Sequence, residues 1–464
     1  MLRAGVVAAV ALTSVAHGAA EVGSSSAADT VAQTWGPNSM RLKLAPASLP
    51  PKAAARLAKQ EALVKQRGLK ELPSALVDTC QPGTAAPLAA GAHVTSGNLQ
   101  ASADSSGSIK FSRVDTGKEL FTAKPRFTRP TFADSCMIGA LMKGGDISVQ
   151  NMTVPDAISH CAVLPACVGF TTKVSSCDSS DTSTIHECYF KNASVTGGND
   201  DGEWRRWSKP SAVAENFLFA GLTLLPADAS ERVYGLGQGN WTQEGGCPTG
   251  EQRIVPLERN GQLLKLQQRK FHVTIPFAYS SLGYGFLFNM PGAGTVSVGE
   301  AGAGGMDWTQ EAALGLDFWV SAPPKDTALA GAAEAIYSQY ADATGHAPPL
   351  REDAMIFWQS RNRYKSSAIA MAVAERYAAL DLPVGVLVID YKDQHFDGDF
   401  APNPDCYPSV KALSDGIRTT LNATTVFSFW PEAKAKSAEF DSLNASGCLI
   451  NSDLGGLAID ATGE

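Results

Sequence analysis

No phosphate-cradling loop occurs in this 464-residue chain: neither Gly-x-Gly-x-x-Gly after a strand nor a Walker A sequence is present. Nucleotide chemistry therefore has no foothold. Gly235-Leu236-Gly237-Gln238-Gly239 is too short for such a loop and sits among strand-like sequence. The Gly-x-Ser-x-Gly elbow of α/β hydrolases is missing as well. The nine cysteines include no Cys-x-x-Cys pair and no Cys/His finger spacing, which favours disulfides over zinc. Past the N-terminus no run of 18 apolar residues exists, so the sequence offers no membrane span. Basic residues are outnumbered, 38 Lys and Arg against 46 Asp and Glu, giving a formal net charge of −8. That balance argues against nucleic acid or an anionic membrane as partner.

What is present suits a secreted multidomain protein. The length allows two or three domains with large cores. Residues 1–20 look like a secretory signal: Arg3 is the positive start, Ala4–Ala16 the short apolar run, and Ala16-His17-Gly18 the cleavage site. A buried N-terminal helix is the alternative. Removal of residues 1–18 implies secretion or the ER lumen. Cys136, Cys161, Cys167, Cys177 and Cys188 cluster in one block. Nine is odd, so one thiol is free or its partner lies beyond Glu464. Sequons stand at Asn151, Asn192, Asn240, Asn422 and Asn444, the expected glycan sites of such a protein.

Residues 21–34 are small and polar, and read as a flexible segment. A strand-like pattern begins at Trp35, residues 53–72 have the period of a surface helix, and 94–123 alternate like strands of an antiparallel sandwich. The Cys-rich block, 130–209, interrupts this pattern, which resumes through 215–320. A helix follows over 326–345 with Gly345 at its end, then a Pro-containing linker to Leu350. The expected sandwich thus comprises 35–125 and 213–325, with 326–350 as helix and linker.

From residue 351 the pattern changes to alternating strands and helices. Ala354–Arg361 (AMIFWQSR) reads as a strand, Ser366–Pro383 as a helix with a serine cap, and Gly385–Asp390 (GVLVID) as an apolar strand ending on an acid. A second helix, Ser409–Leu421, leads to Thr425–Pro431 (TVFSFWP). Short apolar strands separated by longer helices indicate a parallel sheet with crossover helices. The expected fold is thus multidomain β plus α/β: a β-sandwich with a small disulfide-rich insertion, then the first strands of an incomplete (β/α)8 barrel. A whole barrel takes about 250 residues, whereas about 111 remain from Ala354. In α/β barrels chemistry sits at the C-terminal ends of strands, where Asp390 and Trp430 fall.

Taken together, RVYGLGQ (232–238), IPFAYSSLGYGFLFN (275–289), LDFWV (316–320), YSQYADATGHAPPL (337–350), FWQSRNRY (357–364), LPVGVLVIDY (382–391) and FSFWP (427–431) resemble glycoside hydrolase family 31, the retaining α-glucosidases and α-xylosidases. The Cys-rich block is similar to a PAN/apple module, which implies a protein or glycan ligand; a stapled insertion without a ligand is the equal alternative. The family resemblance implies a carbohydrate substrate; no cofactor and no metal are expected. It places the strand-2 carboxylate at Asp390, where it hydrogen-bonds hydroxyls of the sugar in the −1 subsite. A carboxylate can accept the paired donors of sugar hydroxyls; a capping or salt-bridged aspartate at the rim is the alternative. Trp430 is expected as a pocket wall or as packing, Trp358, near the end of the first strand, equally as either, since sugar C–H faces pack on indoles. Arg361 and Arg363 would orient carboxylates or serve as structural ion-pair partners. The long acidic loop 391–408 would shape the mouth; its Asp393, Asp397 and Asp399 lack EF-hand spacing.

The family's aspartate nucleophile follows strand 4. Asp460, 30 residues after Trp430, comes too early for it and reads better as the start of the intervening helix. The second family carboxylate is not in the chain. Retaining hydrolysis needs two carboxyl groups about 5–5.5 Å apart, so the expected whole is the N-terminal part of a secreted α-glycosidase, inactive as a truncated chain. The competing reading is a non-catalytic carbohydrate- or protein-binding protein built on the sandwich and the PAN-like module.

Overall fold

A computed structural model describes residues 30–66, 74–77, 82–128, 136–138, 140–141, 146–163, 167, 169–173, 184–191, 198–199, 204–208, 218–237, 258–266, 273–299, 304–390, 393–430 and 432–449. The chain forms two compact units, Met1–Val195 with Asp201–His346, and Thr196–Asp200 with Ala347–Glu464.

In the first unit, period-2 alternation produces two antiparallel sheets. The seven-stranded sheet runs Val233–Gly235, Phe277–Ser280, Tyr284–Phe288, Leu316–Ser321, Ser39–Leu44, Thr30–Thr34, Ala86–Pro87. The eight-stranded sheet runs Leu263–Leu266, Gly294–Val298, Met306–Ala313, Leu218–Pro226, Glu119–Thr128, Ile109–Arg113, Leu99–Ala103, His93–Ser96. In Ile109–Arg113 the inward residues Ile109 and Phe111 are fully buried while Lys110 is exposed, the half-buried pattern of a sandwich face. Aromatic pairs join the sheets: Phe121 with Tyr284 at 4.5 Å between centroids, Phe286 with Trp308 at 5.2 Å. Both distances suit tilted ring packing.

Glu231, fully buried, ties this unit together by accepting from Ser280 Oγ at 2.6 Å, Tyr284 Oη at 2.5 Å and the Gly305 amide at 3.0 Å. A carboxylate at zero exposure is tolerated because three donors replace its water.

Two local expectations are corrected. The segment read as flexible up to residue 34 contains the strand Thr30–Thr34, with Thr30 and Ala32 buried and full pairing to Ser39–Leu44. Its small residues still alternate inward and outward, so the sheet's hydrogen bonds order it. The helix expected over 53–72 spans Pro51–Gln66; 67–73 lie outside the described residues.

The Cys-rich block holds a five-stranded antiparallel sheet, Asp146–Met152, His186–Lys191, Gly169–Lys173, Trp204–Ser208, Cys136–Ile138, with the helix Val154–Val163 packed on it. Cys161 of that helix is bonded to Cys167, just before the strand Gly169–Lys173. Cys188 is a buried free thiol, and burial pushes it up to about 11. Cys80, Cys177 and Cys247 lie outside the described residues.

The second unit opens with a 3₁₀ turn, Glu352–Met355, followed by β1 (Trp358–Asn362), α1 (Ser367–Ala379), β2 (Val386–Asp390), α2 (Val410–Leu421), β3 (Thr424–Phe427) and a short helix, Phe440–Ala445. The strands pair in parallel, in the order β1-β2-β3. The first strand therefore starts four residues later than expected, because Glu352–Met355 turns instead of extending. Arg351 and Asp353 fasten that turn to Thr424: the guanidinium donates to Thr424 Oγ1 at 3.0 Å and the threonine hydroxyl donates to Asp353.

Both crossover helices begin as the sequence dictates. Ser366 Oγ accepts from the Ile369 amide and Ser409 Oγ from the Ala412 amide at 3.1 Å, satisfying donors at each N-terminus. α2 ends at Asn422 in the left-handed region, φ 55°, where asparagine is one of the few tolerated side chains. Between the helices and one face of the sheet lie Leu387, Ile389, Ala370, Ala374, Leu413 and Ile417, all buried. Among the described residues no helix is long and apolar enough to cross a membrane.

Candidate functional site

Strand parity decides which side chains share a face. Leu387 and Ile389 of β2 turn into the helix-covered core, so Val386, Val388 and Asp390 face the other way. That is the lumenal face in an α/β barrel. Asp390 closes β2 at its C-terminal end, half-buried. Among the described residues it has no hydrogen-bond or ion-pair partner. The capping and salt-bridge alternatives thus find no support among them.

The register of β1 sorts its candidates. Asn362 pairs with Asp390, Ser360 with Val388 and Trp358 with Val386, so these three share the Asp390 face. Gln359 and Arg361 are partnered with Leu387 and Ile389 and share the helix-side face. Gln359 demonstrates this, accepting from Tyr377 of α1 at 2.6 Å. Arg361 is therefore not brought to Asp390. Trp358 shares its face but opens the strand instead of ending it, placing the indole at the opposite end of the sheet, where it donates to the Ala354 carbonyl at 3.1 Å. Asn362 is the neighbour that sequence reading missed; counting in twos back from it to Trp358 was the available signal.

Trp430 lies three residues beyond β3, about half exposed, at the same end of the sheet as Asp390. The strand expected to run through it stops at Phe427. The Ser428 amide still donates to the Ile389 carbonyl at 3.0 Å, so the chain stays alongside Asp390 as it leaves the sheet.

The loop after Asp390 is fastened to the segment after Trp430. Asp399 accepts from the amides of Phe396 and Ala438, both at 2.8 Å. Asp397 pairs with Lys434 at 3.6 Å, and its carbonyl accepts from the Lys434 amide at 2.9 Å. Both acids thus serve as clasps in the rim. Asp393 differs: it is 2% exposed, and neither carboxylate oxygen has a partner among the described residues. Burial, with Asp397 adding repulsion, raises its pKa. Tyr407, which donates to the Tyr364 carbonyl, is pushed by burial up to about 12.

Asp460, Asn192, Asn240 and the signal-like residues 1–18 lie outside the described residues. Asn151, Asn422 and Asn444 are exposed.

Parallel strands with crossover helices and a carboxylate at a strand's C-terminal end are the arrangement with which an α/β barrel begins. Residues 347–463 match the glycosyl hydrolases family 31 TIM-barrel domain. An uncharacterized family 31 glucosidase of Pseudescherichia vulneris is 30% identical over 231 residues, covering 49% of this chain and 39% of that protein. An alpha-xylosidase of Saccharolobus solfataricus is 28% identical over 222 residues, 47% of this chain and 28% of that one. Among solved structures, a xylosidase from Aspergillus niger superposes with a TM-score of 0.52 at 16% identity, covering 90% of this chain and 45% of its own. At these levels the structural likeness concerns the fold alone. The chain spans under half the length of each of these relatives.

Proposed function

We propose that this chain supplies the substrate-orienting half of a retaining α-glycosidase site for α-xylosides or α-glucosides. Asp390 accepts hydroxyl hydrogen bonds from the sugar, with Asn362 beside it and Trp430 as the wall. The observation that carries this reading is Asp390 itself: a half-buried carboxylate on the lumenal face, at the strand end where such barrels do chemistry, without a partner among the described residues. The alpha-xylosidase relatives support the pentoside side of the substrate range.

The described strands are proposed to bind the sugar without themselves cleaving it. Among the described residues the three strands present one lumenal carboxylate, and the reaction needs an attacking and a protonating carboxyl about 5–5.5 Å apart. Purified protein should therefore release no chromophore from 4-nitrophenyl α-xyloside or α-glucoside. Turnover that disappears in Asp460→Asn would overturn this reading. Entry into the secretory pathway is part of the same proposal, supported by the signal-like N-terminus and the exposure of Asn151, Asn422 and Asn444. The helix-to-sheet bridge Cys161–Cys167 supports an accessory PAN-like binding role for the Cys-rich block.

A further inference from the structure

A second candidate binding site lies wholly within the first unit, around Gly235-Leu236-Gly237. A groove of about 430 Å³ is lined by Tyr234, Gly235, Gly237, Arg259, Tyr279 and Tyr337. The three tyrosines form a rail: Tyr234 and Tyr279 have centroids 6.2 Å apart, Tyr279 and Tyr337 6.1 Å apart at 30°. Tyr337, on the helix Leu329–Thr344, is 45% exposed, so its ring edges the groove.

Arg259 is only 6% exposed, yet it has no carboxylate partner among the described residues. Its Nε donates to the Gly235 carbonyl and its Nη2 to the Gly237 carbonyl, both at 2.9 Å. Nη1 is unpartnered. Two carbonyl dipoles fix the guanidinium, and no described carboxylate compensates its charge, an expensive state away from water. The nearest acid in sequence, Glu258, is turned to Arg232 at 2.6 Å.

The backbone is strained to create this arrangement. Gly235, Leu236 and Gly237 all have positive φ, 97°, 66° and 80°, and Leu236 is a buried side chain in a region that leucine avoids. A Cβ on Gly237 would meet the Val273 carbonyl oxygen at 2.0 Å, so the turn admits only glycine there. The turn aims two carbonyls at one guanidinium.

We propose that this groove binds a carboxylate-bearing sugar ring, a hexuronate unit, independently of the Asp390 site. The carboxylate would pair with the Nη1 end of Arg259, since the Nε–Nη2 edge is taken by the two carbonyls, and the ring's C–H face would lie on the tyrosine rail.

The test is NMR titration of the full chain with methyl glucuronoside, its methyl ester and methyl glucoside at low salt. The acid should bind, its ester and the neutral glucoside at least about tenfold more weakly, since a charge-assisted bond is lost. Tyr337→Ala should weaken the acid about tenfold, and Tyr337→Phe should restore it. Both variants keep Arg259 and the turn, so a folding failure at the buried arginine does not obscure the result. Asp390→Asn should leave this titration unchanged, which separates it from the barrel reading. Equal binding of acid and ester, unchanged binding in Tyr337→Ala, or no binding of the acid would each overturn the proposal.

Discussion

Asp390 and Asp393 show how three positions change what a carboxylate can do. Asp390 is reachable and has no partner among the described residues; Asp393 is enclosed, and its pKa is raised chiefly by burial. A raised folded-state pKa means the native chain holds the proton more tightly than the unfolded chain. The stability so gained is full below the ordinary aspartate value of 3.8 and is lost as pH rises through the raised one. Asp393→Asn is therefore expected to raise the thermal midpoint at pH 7.5, with the gain shrinking to nothing as pH falls below about 4. Calorimetry across that range checks it; a lower midpoint at pH 7.5 would show a favourable role for the ionised form. Sequence singled out Asp390 because an acid closing an apolar run is costly. It could not separate Asp393 from Asp397 and Asp399, because burial and clasping depend on where residues 434–438 fold back.

At the level of elements, the crossover helices were legible and the strand edges less so. Ser366 and Ser409 announce helix starts through local capping, which needs no tertiary information. The start of β1 was misread because Ala354–Phe357 is as apolar as a strand, while Asp353 and Thr424, 71 residues apart, decide that it turns. That shift moved Trp358 from one end of the sheet to the other. Parity, once the start is known, sends Arg361 to the helix side and brings Asn362 to Asp390.

Three substitutions at two positions probe the helix ends. Ser409→Ala should cost about 1 kcal/mol of stability. Asn422→Ala should cost about 1 kcal/mol by forcing a Cβ-bearing aliphatic into the left-handed region, while Asn422→Gly should be nearly neutral. Urea midpoints of the three variants decide this. An Asn422→Ala midpoint equal to wild type would mean the cap relaxes freely.

For the molecule as a whole, the change from alternating to continuous apolar runs told the antiparallel sheets from the parallel one. The first compact unit ends at His346, inside the Pro-containing stretch. The pairing order of the 15 described sandwich strands could not be read, because nothing local encodes which distant strands are neighbours. The buried Glu231 clamp was equally hidden, since Ser280, Tyr284 and Gly305 lie 49 to 74 residues away along the chain. Glu231→Ala should destabilise the sandwich by about 3 kcal/mol, having left buried donors unpaired, and hydrogen exchange in Tyr284–Phe288 would register it.

The decisive measurement is calorimetric titration of the chain with methyl α-xyloside, comparing wild type, Asp390→Asn and Arg361→Ala. At least about tenfold weaker binding in Asp390→Asn, with Arg361→Ala unchanged, is the expected result. Undiminished affinity in Asp390→Asn would mean that this carboxylate does not hold the sugar.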